Sequence, residues 1–486
     1  PSSLLIVGAG VFGLSTALAL TRRPEFKHTT ITVVDRSPEP GVFPSRDASS
    51  IDTSRIIRAD YADPAYAALA AEAQEVWRQQ GHPDDLGAQG RYSETGLLLV
   101  ADESPSKDHG SGKKSGLDYV LDSYENVLSL TAAAGPSGRP LSAANKIQEL
   151  PNPSAIRDTY GTGGCYGSYG YINRLSGWAD AEASMDWLFR QVKATGRVTF
   201  INGTVTSLLH SPTTGAVTGV ALNVDGGTTT SSSSSSSSTK LEADLTVLAT
   251  GAWTPTLVNL TGRAIATGQA LAYMDLTDAE QARLAHVPTL LNLSTGYFII
   301  TPGRNILKIA RHAYGYLNPT PCSPSSPTSG SGSGSGSGIA GTTTISLPVT
   351  HLTQPSLSIP RAEQDAMRRA LAEMVPWPEL QARPFRTTRL CWYTDTPDGD
   401  FIIDYHPEHK GLFLATGGSG HGFKFLPVIG DKITDCILDR CPEAFRGKWA
   451  LKKGSLDGAA SAVWDGVSTE DGSRGGVPGL ILSEEM

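Results

Sequence analysis

The sequence predicts an α/β chain in which a Rossmann-like domain is interleaved with a second, sheet-based domain. Three observations predict it. A strand–glycine turn–helix–strand unit opens the chain. Two later apolar runs of the buried-strand kind, Leu245–Leu248 and Leu412–Ala415, each run into a glycine turn. Between these pieces lie two long segments, 84–164 and 265–387, that carry strand-like runs of their own.

The opening unit begins with the apolar run Leu4-Leu5-Ile6-Val7, followed by Gly8-Ala-Gly10-Val11-Phe12-Gly13 and a helical stretch from Leu14. A second strand-like run, Thr30–Val34, ends on Asp35. Gly8 permits the tight turn, Gly10 lets a pyrophosphate approach the backbone, and Gly13 allows close helix–strand packing. The helix N-terminus offers unpaired N–H groups to the phosphates. Asp35 can accept ribose hydroxyls, and its carboxylate would repel a 2′-phosphate. The unit marks a dinucleotide site and does not choose between FAD and NAD.

Further along, Ala65–Trp77 and Trp178–Val192 have helical apolar spacing, and Arg197–Ile201 and Val205–Leu209 read as strands. The segment 84–164 is poor in clear helices and holds a strand at Thr95–Val100; helices are expected at Thr277–Ala285 and Arg361–Met374. The nucleotide domain is then drawn from 1–83, 165–264 and 388–486, and the substrate domain from 84–164 and 265–387. Residues 228–239 are almost pure Thr and Ser, and 321–338 are Ser/Pro followed by a Gly-Ser repeat. Neither buries enough apolar surface to offset its ordering entropy. Each is expected to be a swollen hairpin loop: the first between Val217–Val224 and Leu245–Leu248, the second between Ile306–Tyr316 and Thr342–Leu347.

The 486 residues carry a net charge of −8 with no basic run, which argues against a nucleic-acid partner. No stretch reaches the roughly eighteen continuous apolar residues of a membrane span. Five scattered cysteines do not make a disulfide framework, and no metal site is expected. With a core strand at the start, no signal peptide is expected, so the compartment is expected to be cytoplasmic or peroxisomal, and the protein a monomer.

The last part of the chain carries the chemistry. Arg389-Leu-Cys391-Trp-Tyr393-Thr is followed by Phe401-Ile-Ile-Asp404-Tyr-His-Pro and by Ser419-Gly420-His421-Gly422-Phe423-Lys424. The glycine-rich turn leads into Pro427–Leu438, a segment with helical apolar spacing, and a glycine turn at a helix N-terminus is a site for negative charge.

These motifs resemble the monomeric sarcosine oxidase family of FAD-dependent amine oxidases. The family belongs to the D-amino-acid-oxidase-like group and includes fungal L-pipecolate and saccharopine oxidases and fructosyl amino acid oxidases. The resemblance rests on the glycine fingerprint, Ser54-Arg55-Ile56-Ile57-Arg58, Gly251-Ala-Trp253, and the Cys391 and Lys424 motifs in the same order. It spans nearly the whole chain except the two low-complexity stretches and the last forty-odd residues. It implies a glutathione-reductase-type FAD-binding domain, with FAD attached through a thioether to Cys391, a bond that requires a thiolate nucleophile. Arg389 is expected near that thiol.

Cofactor contacts are implied at Gly8, Gly10, Val11, Phe12 and Gly13, and at Asp35, Arg36, Ser54 and Arg55. Further contacts are implied at Val205, Gly251 and Trp253, and along the turn Gly420, His421, Gly422, Phe423 and Lys424. The resemblance also places Lys308 over the flavin as the group that assists oxygen and His312 beside the substrate; on a strand, 308 and 312 share one face. Arg58 and Lys424 match the pair that holds the substrate carboxylate, and Tyr393 lines the pocket. Fructosyl amino acid oxidases usually replace the Arg-Ile-Ile-Arg stretch with a lysine-containing one, and this chain keeps both arginines. The expected reaction is oxidation of a secondary amino acid to an imine with O2 reduced to H2O2. The alternative is a fructosyl amino acid oxidase. An NAD-dependent dehydrogenase would leave the Cys391 and Lys424 motifs without a role.

Overall fold

The computed structural model describes residues 1–102, 114–132, 145–224, 239–322, 343–453 and 468–486. The first sheet has eight strands in the order Thr239–Glu242, Val217–Val224, Val198–His210, Thr30–Asp35, Ser3–Val7, Leu245–Leu248, Leu412–Thr416 and Ile402–Tyr405. Its five central strands, from Val198–His210 to Leu412–Thr416, are parallel. Parallel neighbours are buried on both faces, so Leu245–Leu248 and Leu412–Thr416 read as unbroken apolar runs rather than alternating ones.

Helix Val11–Arg22 lies almost wholly buried between this sheet and the helices Ala181–Ala194 and Ile429–Ile437. Gly13 makes its close seat possible, because a Cβ there would stand 1.9 Å from the Gly8 carbonyl oxygen. Helix Ala181–Ala194 starts at Asp180, whose carboxylate accepts from the Ala183 N–H. Gly177–Ala179, expected as helix at Trp178, instead forms a strand between Arg55–Ile57 and Tyr92–Ser93. The two strands expected at 197–209 are one, Val198–His210.

The second sheet is mainly antiparallel and centred on Ile265–Asp275, a strand buried over nearly its full length. That strand pairs with Ile306–Arg311, Tyr316–Leu317 and Thr387–Asp395. Tyr169–Asn173 and Thr387–Asp395 belong to this sheet although most of their residues fall in ranges drawn for the nucleotide domain. The consequence is functional: Cys391 and Tyr393 reach the boundary between the sheets from the second one. Two helices were not foreseen in 84–164, Gly116–Ala132 and Pro153–Tyr160. In the longer one Tyr119, Val120, Ser123 and Val127 face inward while Leu121 and Leu128 face out, so apolar residues on both faces blur the stripe.

The hairpin partners also differ from expectation. Val217–Val224 pairs antiparallel with Thr239–Glu242, while Leu245–Leu248 takes the place beside Ser3–Val7 at the sheet centre. Pro319–Cys322 pairs with Thr343–Ser346. The low-complexity stretches themselves lie outside the described residues apart from Thr239, Pro321 and Cys322. Among the described residues no helix is long and apolar enough to cross a membrane, and no cluster of three metal-ligating side chains occurs.

Helix Pro64–Trp77, capped by Asp63, ends on the fully buried Trp77. The indole Nε1 donates to the Lys424 carbonyl at 2.8 Å, tying the helix to the glycine turn. Trp77→Phe keeps the aromatic packing and leaves that buried carbonyl unpaired. It should cost about 1–3 kcal/mol in chemical denaturation, and an unchanged midpoint would show that the hydrogen bond does not hold the turn.

Candidate functional site

A cavity of about 470 Å³ opens at the C-terminal ends of the central parallel strands, where open α/β sheets bind ligands. One end is the first glycine turn. Gly10 precedes helix Val11–Arg22 without a side-chain cap, leaving the first-turn N–H groups to face the cavity. A Cβ on Gly10 would meet no protein atom within 4 Å and would enter the cavity itself. Asp35 lies at the end of its strand and accepts from the Ala9 N–H at 2.8 Å. Burial raises the Asp35 carboxyl to about 6, against that hydrogen bond. The Arg36 guanidinium lies 3.9 Å from the Trp253 ring centroid and pairs with Asp47 at 3.0 Å. Val11, Phe12, Val205, Gly251 and Gly422 also line this cavity. A helix start without a side-chain cap, a buried carboxylate at the strand end and an open cleft beside them fit the adenosine diphosphate end of FAD.

A second cavity of about 70 Å³ adjoins the first, and Arg55, Tyr393, Gly420 and Phe423 line both. Cys391, Arg58, Lys308, His312, His421 and Lys424 line the second alone. Lys308 and Ala310 line it from the strand Ile306–Arg311, joined by Arg311 at the strand's end and His312 just past it. Gly13 and Ser54 line neither cavity: Gly13 packs beneath the turn, and the Ser54 carbonyl accepts from Lys308 Nζ at 2.8 Å.

Asp52, unforeseen from the sequence, organises one side. Its buried carboxylate accepts from Lys308 Nζ at 2.7 Å, from the Tyr273 hydroxyl at 2.7 Å and from Arg55. Burial alone would raise its pKa, but the charges of Arg55, Lys308 and Arg389 outweigh it and hold the carboxyl far below the usual range. Burial lowers the Lys308 pKa to about 8, with Asp52 opposing and Arg55 adding to the fall. Arg55, not Arg389, touches the thiol: Arg55 Nη2 lies 3.4 Å from Cys391 Sγ. Arg389 is turned onto the backbone carbonyls of Ile51 and Ala48 because strand, loop and side chain meet there.

The opposite side is differently charged. Arg58 and Lys424 are both buried and stand over the Tyr61 ring, at 4.9 and 5.1 Å. Lys424 Nζ donates to the Tyr61 hydroxyl at 2.8 Å and to the His421 carbonyl at 2.9 Å. Arg58 reaches only the Tyr119 hydroxyl, at 3.5 Å, and its Nη1 has no partner. Among the described residues no carboxylate pairs with either cation. Burial, then the charge of Arg58, pushes Lys424 well below the ordinary lysine value.

His421 Nε2 donates to the Gly399 carbonyl at 2.8 Å, so its Nδ1 accepts from Tyr61 at 3.0 Å and Tyr61 in turn accepts from Lys424. The glycine turn is not joined directly to an α-helix as expected. A short 3-10 turn, Phe423–Phe425, intervenes, and the helix begins at Ile429. The turn is shaped by side-chain anchors, Trp77 and Tyr61, rather than by that helix's N-terminus.

Tyr61 and Arg474 were also missed. Tyr61 carried no signal beyond its nearness to Arg58, and Arg474 lies in the C-terminal stretch that the resemblance does not cover. Asp52 alone left a trace, as an acid three residues before Arg55.

Comparison with known proteins agrees with this geometry. Residues 3–436 match the DAO family, described as FAD dependent oxidoreductase. An amino acid oxidase of Aspergillus flavus, imqH, is 32% identical over 489 residues, covering 90% of this chain and 93% of its own. The L-saccharopine oxidase of Schizosaccharomyces pombe is 27% identical over 468 residues, covering 95% of each. Among solved structures, the fructosamine oxidase Amadoriase II of Aspergillus fumigatus superposes with a TM-score of 0.71 at 25% identity, covering 100% of this chain and 96% of its own. The chain belongs to the DAO family of FAD-dependent oxidoreductases. It is an enzyme with an FAD-binding α/β domain.

Proposed function

We propose that this enzyme oxidises the C–N bond of a secondary α-amino acid to an imine and passes the electrons to O2, giving H2O2. One observation carries the reading: beside the FAD cavity, Arg58 and Lys424 are buried together, and among the described residues no carboxylate is ion-paired with either, Asp60 acting on both only from a distance. Two buried cations without a paired carboxylate are costly unless an anion joins them. A substrate carboxylate supplies it, and a planar guanidinium with a point charge holds it in one orientation. The relatives' named activities on amino acids and saccharopine support the choice of substrate class.

When bound, FAD supplies the two-electron acceptor. Arg58 and Lys424 fix the substrate by its carboxylate, and Tyr393 and His312 line the space around the amine. On the other side Lys308, held by Asp52, keeps a positive charge where reduced oxygen develops negative charge. Cys391 lines the cavity beside Arg55 and would be the residue that holds the flavin through a thioether.

The similarity to Amadoriase II supports a second reading, a fructosyl amino acid substrate. A panel of sarcosine, L-pipecolate, L-proline, saccharopine and fructosyl amino acids separates the two.

The clamp decides the class. A charge-assisted hydrogen bond contributes about 1.5–3 kcal/mol, so Arg58→Met or Lys424→Met should each cost roughly ten- to a hundredfold in kcat/KM. The amide of the best substrate should be poor with the unmodified enzyme and lose little more in Lys424→Met. Equal losses for acid and amide would remove the carboxylate reading.

For the covalent link, intact-mass measurement should show the chain heavier by one FAD, and Cys391→Ser should release it. A fully yellow preparation of unmodified mass would refute the attachment.

Lys308 is protonated below its pKa of about 8. The rate at which O2 reoxidises the reduced enzyme should therefore fall as pH rises through that value. Lys308→Met should slow it about a hundredfold or more at lower pH and abolish the dependence, with anaerobic reduction nearly intact. Equal slowing of both half-reactions would place Lys308 in the substrate site instead.

A further inference from the structure

The C-terminal segment 468–486 lies beyond the residues 3–436 that match the family, yet its backbone is pinned beside the site. Leu480–Ile481 pairs in parallel with Tyr316–Leu317, and a parallel bridge joins Gly475 to Ala313. The Gly475 N–H donates to the His312 carbonyl at 3.1 Å. A Cβ at 475 would stand 2.1 Å from the Thr295 carbonyl carbon, so this approach requires glycine. At the other end the Glu470 N–H donates to the Pro397 carbonyl at 2.8 Å, and the Thr469 hydroxyl to the Thr396 carbonyl at 3.1 Å. Arg474 is held between these two anchors.

Its side chain is 1% exposed. Nη2 donates to Asp395 Oδ1 at 2.7 Å and to the Ser419 carbonyl at 2.7 Å. Asp395 is itself buried, and its other oxygen accepts from the Thr267 hydroxyl at 2.6 Å, so Arg474 is the cation that balances it. Nη1 stands 2.7 and 2.9 Å from the two ring nitrogens of His312, against the ring face, and backs the ring by contact. Asp395 ends the strand Thr387–Asp395 that carries Cys391 and Tyr393, and Ser419 opens the turn that carries His421 and Lys424. One guanidinium therefore joins the strand to the turn.

Ser419 is where that turn needs holding. Its φ is +42°, in the left-handed region that favours glycine. Its N–H donates to the Thr394 carbonyl at 3.0 Å, and its Oγ accepts from the Thr396 N–H at 3.2 Å. These bonds tie the residue to the strand, and Arg474 fixes its carbonyl. The next residue, Gly420, lies so close to Tyr393 that a Cβ would stand 2.3 Å from the ring. The orientation of the peptide between 419 and 420 thus sets the path of the turn. One residue further, the His421 carbonyl accepts from Lys424 Nζ at 2.9 Å.

We propose that Arg474 is a positioning residue for the substrate carboxylate: by binding the Ser419 carbonyl and Asp395 together, it locks the glycine turn to the strand and holds Lys424 where it meets the anion. This rests on the reading of Arg58 and Lys424 as the carboxylate clamp. Arg474 lines neither cavity, so its effect reaches the substrate through the turn. A planar guanidinium fixes the direction of both acceptors, which a point charge does not.

The test uses acetate as a carboxylate that binds without turnover, titrated into holoenzyme and read from the flavin absorption. Lys424→Met should weaken acetate roughly ten- to a hundredfold, and Arg474→Met about tenfold with full FAD content. With the best amino acid, Arg474→Met should raise KM about tenfold while kcat falls less than about threefold. The amide's kcat/KM should stay within about twofold. Arg474→Lys keeps a cationic donor for the same acceptors and should fall between Arg474→Met and the unmodified enzyme. Undiminished acetate affinity in Arg474→Met, or equal losses for acid and amide, overturns the proposal. The unmodified holoenzyme gives a second reading. Because coupling between sites is reciprocal, saturating acetate should slow backbone hydrogen exchange in 468–486 together with 417–426. An unchanged C-terminal segment overturns the proposal even where the variant fails to fold. Acetate affinity unaffected by Lys424→Met would instead remove the clamp reading.

Discussion

The Asp52 carboxylate is the counter-charge around which one side of the site is assembled. It is buried and receives Lys308, Arg55 and Tyr273 together, with the charge of Arg389 close by. These partners come from four strands, Arg55–Ile57, Ile306–Arg311 and the paired Ile265–Asp275 and Thr387–Asp395, while Asp52 itself lies in the loop before the first. Removing one partner of such a buried pair typically costs about 3–5 kcal/mol, because the other charge is left uncompensated. The interaction therefore joins the second sheet to the segment that carries both arginines, and everything placed by that junction depends on it.

The two sides of the second cavity differ in how their charges are balanced. Lys308 and Arg55 have their anion in the protein. Arg58 and Lys424 have hydroxyls and carbonyls, with Asp60 nearby but fully engaged by Tyr171, Asn173 and Ser176. In the proposed function the charge satisfied by the protein assists oxygen, and the pair without a carboxylate partner holds the substrate anion. On that reading the same residue types take different uses according to whether a carboxylate pairs with them.

The adenosine end of the site has a different origin. It is made by backbone: the glycine turn, the helix end behind it and the strand end bearing Asp35. Its geometry needs only local sequence and parallel pairing of Ser3–Val7 with Thr30–Asp35, and it is the part most remote from substrate choice.

That contrast explains what was legible beforehand. The first thirty-five residues by themselves determined a dinucleotide site, because turn, helix and terminal acid are contiguous and each follows from local stereochemistry. The buried runs Leu245–Leu248 and Leu412–Ala415 announced the parallel sheet, since burial on both faces removes polar alternation. Only the tertiary structure decided that Cys391 and Tyr393 approach on a strand of the second sheet, that Asp52 rather than any motif residue balances Lys308, and that Arg474 reaches His312 from 162 positions away in the chain. A lone carboxylate or arginine has no periodicity and no neighbours to mark it in a sequence. Its role comes from the charge it meets when the chain is folded, and that encounter is a property of topology.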